Sequence, residues 1–184
     1  MFLLSRSLVE GVYFPKGMLH IQPFQPENYV SGAYGFRLGA VATDSSPRLL
    51  KENLTLLPGE TKAVWSLETL SLRGRVLGLL GNSTSLLTQG VELLDSPCIN
   101  PDFDGCLELQ LRNWKTTSVS LPPASTIGKL LLFDVSETFG EQGPLDEKEL
   151  PAAFRKRKRA SEEILKDLKR FPEYQLRQLE NQGE

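Results

Sequence analysis

The sequence predicts a mainly β protein, a barrel or jelly roll followed by a C-terminal helical extension. Three observations carry this. Short apolar or alternating runs recur from about residue 18 to residue 135, Gly, Pro, Asn, Asp and Ser separate them, and helical spacing takes over only after residue 151. That spacing of short strands fits a closed or sandwiched β architecture better than repeating βαβ units.

At the N-terminus, Ser5 is placed to cap a short helix over Leu8 and Val9 that Gly11 ends. Pro15, Gly17, Pro23 and Pro26 then punctuate an extended segment containing Met18 to Ile21. Strands are expected at Tyr34 to Leu38, Thr61 to Trp65, Arg75 to Leu80, Cys106 to Leu111, Ser118 to Leu121 and Lys129 to Val135. The clearest alternation is Leu107-Glu108-Leu109-Gln110-Leu111-Arg112. It puts the three leucines on one face and Glu108, Gln110 and Arg112 on the other. Gly140 to Pro151 reads as a linker, so a domain over 1–139 joins an extension over 152–184. In that extension Ile164, Leu165 and Leu168 fall at helical spacing until Pro172 breaks or kinks the helix, and a second short stretch carries Leu176 and Leu179.

A chain of 184 residues with 40% apolar content can bury a substantial core. Residues 1–150 carry 12 Lys/Arg against 17 Asp/Glu, and residues 151–184 carry 9 against 6, so the C-terminal piece is a distinct, basic element. Cys98 and Cys106 have the spacing of neither a metal knuckle nor a disulfide framework, which points to a reducing compartment. No apolar run approaches the roughly twenty residues that span a bilayer, and Met1 to Leu4 is too short for a signal-peptide core. The expectation is a soluble, cytoplasmic protein.

Between residues 58 and 133 an ordered set of short motifs carries a resemblance. Pro58-Gly59-Glu60 precedes a strand, and Leu67 to Leu72 resembles a "T-x-E-x-v-x-l-P" stretch. Gly81 to Leu86 stands where "G-R-S-S-L-A-R-L-G" is expected, and Ile99 to Gly105 matches "I-D-P-G-F-x-G". Leu107 to Asn113 matches "L-x-L-E-x-x-N", and Ile127-Gly128-Lys129-Leu130 matches "I-G-Q-L". Upstream, Leu4 to Leu8 and Gly32 to Gly39 resemble "L-x-D-x-x-I" and "S-x-D-x-R-L-G". In this order and spacing the chain resembles the dCTP deaminase/dUTPase family, on its deaminase-like branch, over residues 3 to 135.

The resemblance implies a distorted jelly-roll barrel, a homotrimer, and nucleotide pockets at subunit interfaces. It places Ser83, Thr84 and Ser85 in a turn whose amides cradle a triphosphate. It implies zinc-free deamination through a strand Glu in one branch, and in the other hydrolysis by an Asp base with Mg²⁺ neutralising phosphate charge.

The sequence departs from that pattern at the chemistry. Gln110 stands at the catalytic Glu position, and an amide does not exchange a proton near neutral pH as a carboxylate does. Asn100 replaces the dUTPase-type Asp, Thr88 falls where an Arg is expected, and Gly35 sits at the Asp of "D-x-R-L-G". Glu108 shares a face with Gln110 but is offset by roughly 6–7 Å along the strand; a bulge or register shift there, or Asp95, Asp102 or Asp104 from nearby turns, would be needed to restore a base.

The expected function is therefore a non-catalytic, homotrimeric deoxynucleotide-binding, regulatory or structural interaction module. The nucleotide-binding candidates are Ser83, Thr84, Ser85, Asn100 and Gln110, and a pyrimidine deoxynucleotide is the expected ligand. The alternative is an active dCTP deaminase or dUTP diphosphatase with relocated carboxylates. No cofactor is implied, and Mg²⁺ enters only with a bound triphosphate. The same hydroxyls of Ser83 to Ser85 would equally serve a turn that bonds its own backbone.

His20, the single histidine, lies in an extended apolar segment without a nucleophile motif, and Pro97-Cys98 lacks the second cysteine of a zinc deaminase. Arg155 to Arg159 is a run of five cations without aromatic interleaving, so it reads as a solvated helix start or a dock for an acidic protein partner rather than a nucleic-acid site.

Overall fold

The computed structural model describes residues 1–42 and 47–135. The expected linker, the extension with its basic run, and the last residues of the expected 1–139 domain lie outside the described residues. The strands are β1 (Phe2–Leu3), β2 (Leu19–Gln22), β3 (Tyr29–Val30), β4 (Ala33–Ala42), β5 (Pro47–Leu49), β6 (Leu54–Leu56), β7 (Thr61–Leu72), β8 (Val76–Asn82), β9 (Val91–Leu94), β10 (Cys98–Ile99), β11 (Asp104–Asn113), β12 (Val119–Leu121) and β13 (Thr126–Asp134). Two short helices, α1 (Arg6–Leu8) and α2 (Thr84–Thr88), complete the list of regular elements used below.

The fold is mainly β, as the sequence predicts. One sheet runs β10-β8-β13-β4-β7-β11-β9, with β1, β2, β3 and β5 paired along its margins, and β6 and β12 form a separate ribbon. The large sheet curls into a half-barrel. Alternation explains which face turns inward: on β11, Leu107, Leu109 and Leu111 are buried while Gln110 is exposed. They join Tyr34, Phe36 and Leu38 of β4, Val64, Leu70 and Leu72 of β7, and Leu130 and Leu132 of β13 in one core. Each such side chain contributes roughly 1.5–3 kcal/mol when fully buried.

Several local expectations need correction. The first helix does not end at Gly11. Ser5 Oγ accepts the Leu8 amide at 3.4 Å as expected, but the winding continues as a wide turn through Tyr13, with Phe14 N reaching Val9 O at 2.9 Å. Val9 and Tyr13 both bury into the core from this turn, and Tyr13 donates its hydroxyl to the Asp134 carboxylate. Tertiary packing there outweighs the low helix propensity of one glycine. Thr61 to Trp65 and the Leu67–Leu72 motif form one continuous strand rather than two segments, and β6 and β9 were not anticipated because three- and four-residue runs carry little periodicity.

The centre of the sheet is irregular. The β4–β7 register shifts between Leu38 and Ala40, and the β7–β11 register shifts between Cys106 and Glu108. Ser66 takes up backbone groups released there: its hydroxyl donates to Glu68 O at 2.7 Å and accepts Leu107 N at 2.8 Å. Beside it Arg37 and Glu68 form a buried ion pair, Nε to Oε1 at 2.6 Å, and Arg37 N donates to Glu68 Oε2 at 2.8 Å. At the end of β11, the Asn113 side-chain amide donates to the carbonyls of Leu56, Leu57 and Thr117, tying the ribbon to the sheet.

Cys98 is exposed and Cys106 buried, and they form no disulfide. Burial first, and the nearby Glu68 charge second, push the Cys106 thiol up to about 12. Thiol labelling of the native protein near neutral pH should therefore modify Cys98 quickly and Cys106 only after denaturation. Two equally fast thiols would contradict this burial.

Candidate functional site

The described residues place one cleft at the Ser-rich segment. It has a volume of about 340 Å³ and is lined by Glu27, Asn28, Val30, Ala33, Gly35, Ser83, Thr84, Ser85, Thr126 and Lys129. Its floor is the row where β8, β13 and β4 lie side by side, since Lys129 pairs with Gly81 on one flank and Gly35 on the other. One wall is the start of α2. The Ser-rich segment is a short helix rather than a turn, Ser83 sitting extended before it and the Ser83 carbonyl accepting Leu86 N at 3.1 Å and Leu87 N at 3.0 Å. The Asn82 side chain locks the segment to β9 by accepting Leu93 N at 2.7 Å.

The hydroxyls here do not simply serve the local backbone. Ser83 and Ser85 hydrogen-bond each other at 2.7 Å, Ser83 is buried, and its side chain makes no capping bond to the helix. Thr84 and Ser85 are exposed. A hydroxyl has one donor and two acceptor sites, so the pair keeps capacity for a polar ligand. Thr88, at the expected Arg position, is turned away into its own helix, its hydroxyl donating to Ser85 O at 2.9 Å.

Asn100 and Gln110 are not cleft-lining. Asn100 is exposed just past β10, where Ile99 pairs with Gly78. Gly78 is five residues along β8 from Ser83, which separates Asn100 from Ser83 by roughly 16 Å or more. Gln110 is exposed on β11, opposite Ala63 of β7 and Leu94 of β9. The irregularity in β11 lies before Glu108, and from Glu108 to Arg112 pairing with β7 proceeds residue by residue. The offset between Glu108 and Gln110 therefore stands.

The neighbouring carboxylates are engaged locally. Asp95 Oδ1 accepts Ser96 N at 2.7 Å, Asp102 Oδ1 accepts Gly74 N at 3.2 Å, and Asp104 is within 3.8 Å of the Arg73 guanidinium. His20 is exposed on β2, with its ring stacked on Phe14.

Sequence reasoning missed Lys129, Thr126, Glu27 and Asn28. Lys129 had a signal, because it occupies the Gln place of the "I-G-Q-L" match; Thr126 at the start of β13 and Glu27 and Asn28 in a short 3-10 turn reach the cleft only through the fold. Among the described residues no group of three or more His, Cys, Asp or Glu could hold a metal ion. Glu27 is the single carboxylate among the cleft-lining residues.

A 2'-deoxycytidine 5'-triphosphate deaminase from Agrobacterium tumefaciens is structurally similar to this chain, with a TM-score of 0.59 at 13% sequence identity over 71% of this chain and 47% of that one. The chain has the fold of this dCTP deaminase. It spans about half the deaminase's length. The EIAV dUTPase (TM-score 0.42, 14% identity, 63% of this chain and 98% of that one) and the dUTPase of Staphylococcus bacteriophage 80alpha (TM-score 0.48, 12% identity, 71% and 99%) are also similar. No protein-family model and no curated protein matches the chain. The dCTP deaminase-like fold is thus common ground between sequence and structure. No helix among the described residues is long and apolar enough to cross a membrane.

Proposed function

We propose that this chain is a non-catalytic, cytoplasmic, deoxynucleotide-binding protein that works as a homotrimer in a regulatory or structural role. The observation that carries the reading is a division within the site. The hydroxyl-lined cleft is present, whereas Asn100 and Gln110 are amides at the positions where the family resemblance implies a general base, and the nearby aspartates are engaged locally. Proton transfer needs a titratable group within about 2.6–3.2 Å of the reacting atom. An amide at the right place does not replace one.

The separation between Ser83 and Asn100 supports the trimer. In a closed cyclic assembly Ser83 of one copy and Asn100 of the next can face one ligand at each junction. The basic segment from Arg155 to Arg159 is the candidate contact for an acidic protein partner. Mg²⁺ would arrive with a triphosphate, held by its phosphates.

Incubation of purified protein with dCTP and with dUTP, with and without Mg²⁺, is expected to give binding without deamination or diphosphate release. Turnover abolished by Glu108→Ala would overturn the non-catalytic reading. The complementary variant, Gln110→Glu with Thr88→Arg, should gain measurable activity if the pocket geometry is intact.

A further inference from the structure

We propose that Lys129 anchors the phosphate group of the nucleotide, replacing the guanidinium that is lacking at Thr88. This rests on the deoxynucleotide-binding reading and names the anchoring residue within it.

The case begins with the two glycines. Directly paired residues on neighbouring strands have Cβ atoms roughly 4.5–5.5 Å apart, close enough for a carboxylate to neutralise an ammonium. Both such neighbours of Lys129, Gly35 and Gly81, lack a side chain. A Cβ at Gly81 would have only Lys129 O within reach, at 3.9 Å, and one at Gly35 would lie 3.1 Å from Thr126 Cγ2. The lysine therefore rises between two paired residues that carry no side chain, exposed, with no ion pair among the described residues.

Gly35 is also the place where the deaminase-like pattern has an Asp, and Lys129 the place where it has a Gln. Both changes make this row more positive. The charge that Thr88 fails to supply is found in the cleft on β13, the strand paired with the β8 that leads into α2.

The surrounding groups suit one phosphate. Ser83, Thr84, Ser85 and Thr126 offer hydroxyl donors, Asn28 lines the same cleft, and a lysine ammonium has three rotatable donors that accept varied phosphate geometry. Glu27 is the opposing charge. Lys129 is the one cation among the cleft-lining residues, so its ammonium makes direct contact with one phosphate group of the nucleotide.

The test is a calorimetric titration with dCMP, dUMP, dCTP and dUTP, and with inorganic pyrophosphate as a probe without a base. Wild type, Lys129→Gln, Lys129→Arg and Gly35→Asp are compared at two salt concentrations. Lys129→Gln should weaken both nucleotide and pyrophosphate binding about tenfold, the lower end for a hydrogen bond to a charged group, and should flatten the salt dependence. Lys129→Arg should retain affinity, and Gly35→Asp should weaken it like Lys129→Gln by pairing the ammonium.

Nucleotide affinity unchanged in Lys129→Gln overturns the anchor while leaving the nucleotide reading in place. Pyrophosphate binding that depends on Lys129, with no nucleotide bound, keeps the anchor and removes the nucleotide reading. If neither binds to wild type, both fall.

Discussion

Glu68→Ala is expected to destabilise the fold by about 3–5 kcal/mol, the cost of leaving a buried charge without its partner. Arg37 is fully buried, and in the described structure its Nη1 and Nη2 have no hydrogen-bond partner. Glu68, 3% exposed, is thus the group that neutralises it. Burial pushes the Glu68 carboxyl up, while the Arg37 guanidinium and amide pull it down.

The double replacement Arg37→Met with Glu68→Leu should cost much less than the single one, since it removes both charges from the interior. Urea unfolding of the three proteins measures this directly. A loss below about 1 kcal/mol for Glu68→Ala would mean that water reaches the pair, as it does for exposed ion pairs.

Gly39→Ala is the second large effect. A Cβ at residue 39 would lie 2.6 Å from Leu67 Cα, 2.7 Å from Leu67 N and 2.8 Å from Ser66 O. These are backbone atoms of the central strand β7, so no side chain can turn aside. The strands must separate at the register shift, and the buried Arg37–Glu68 pair lies beside it.

Overpacking a well-filled core costs roughly 1–3 kcal/mol, occasionally more. Here the expected loss is at or above the top of that range. Gly59→Ala provides the contrast: that glycine has open space around a positive φ, so its penalty is conformational and smaller. Equal melting temperatures for the two variants would contradict the close approach of β4 and β7.

Much of the fold was legible because strand periodicity is local. The alternation of Leu107 to Arg112 assigns inner and outer faces without any knowledge of neighbouring strands, and burial follows it. Boundaries at Gly11 and across Leu67–Leu72 were not legible, since buried side chains at Val9 and Tyr13 and pairing along all of β7 overrode local punctuation. For the site, the amides at Asn100 and Gln110 were visible directly. The cleft is only half visible in the sequence: Ser83 to Ser85 form a hydroxyl-rich run, whereas Lys129 meets its cross-strand neighbours Gly35 and Gly81 only through non-local pairing.

The sequence by itself determined the chemical types at each candidate position: a hydroxyl-rich segment at 83–85, amides at 100 and 110, a lysine at 129. It also determined a β architecture through alternation with a period of two. Only the tertiary structure decided that Arg37 meets Glu68 across 31 residues, that Lys129 stands between two glycines, and that Asn100 lies far from Ser83 in the same chain. The physical reason is that faces are assigned by local geometry, whereas register and strand order arise from non-local pairing and from irregularities such as the one at Gly39.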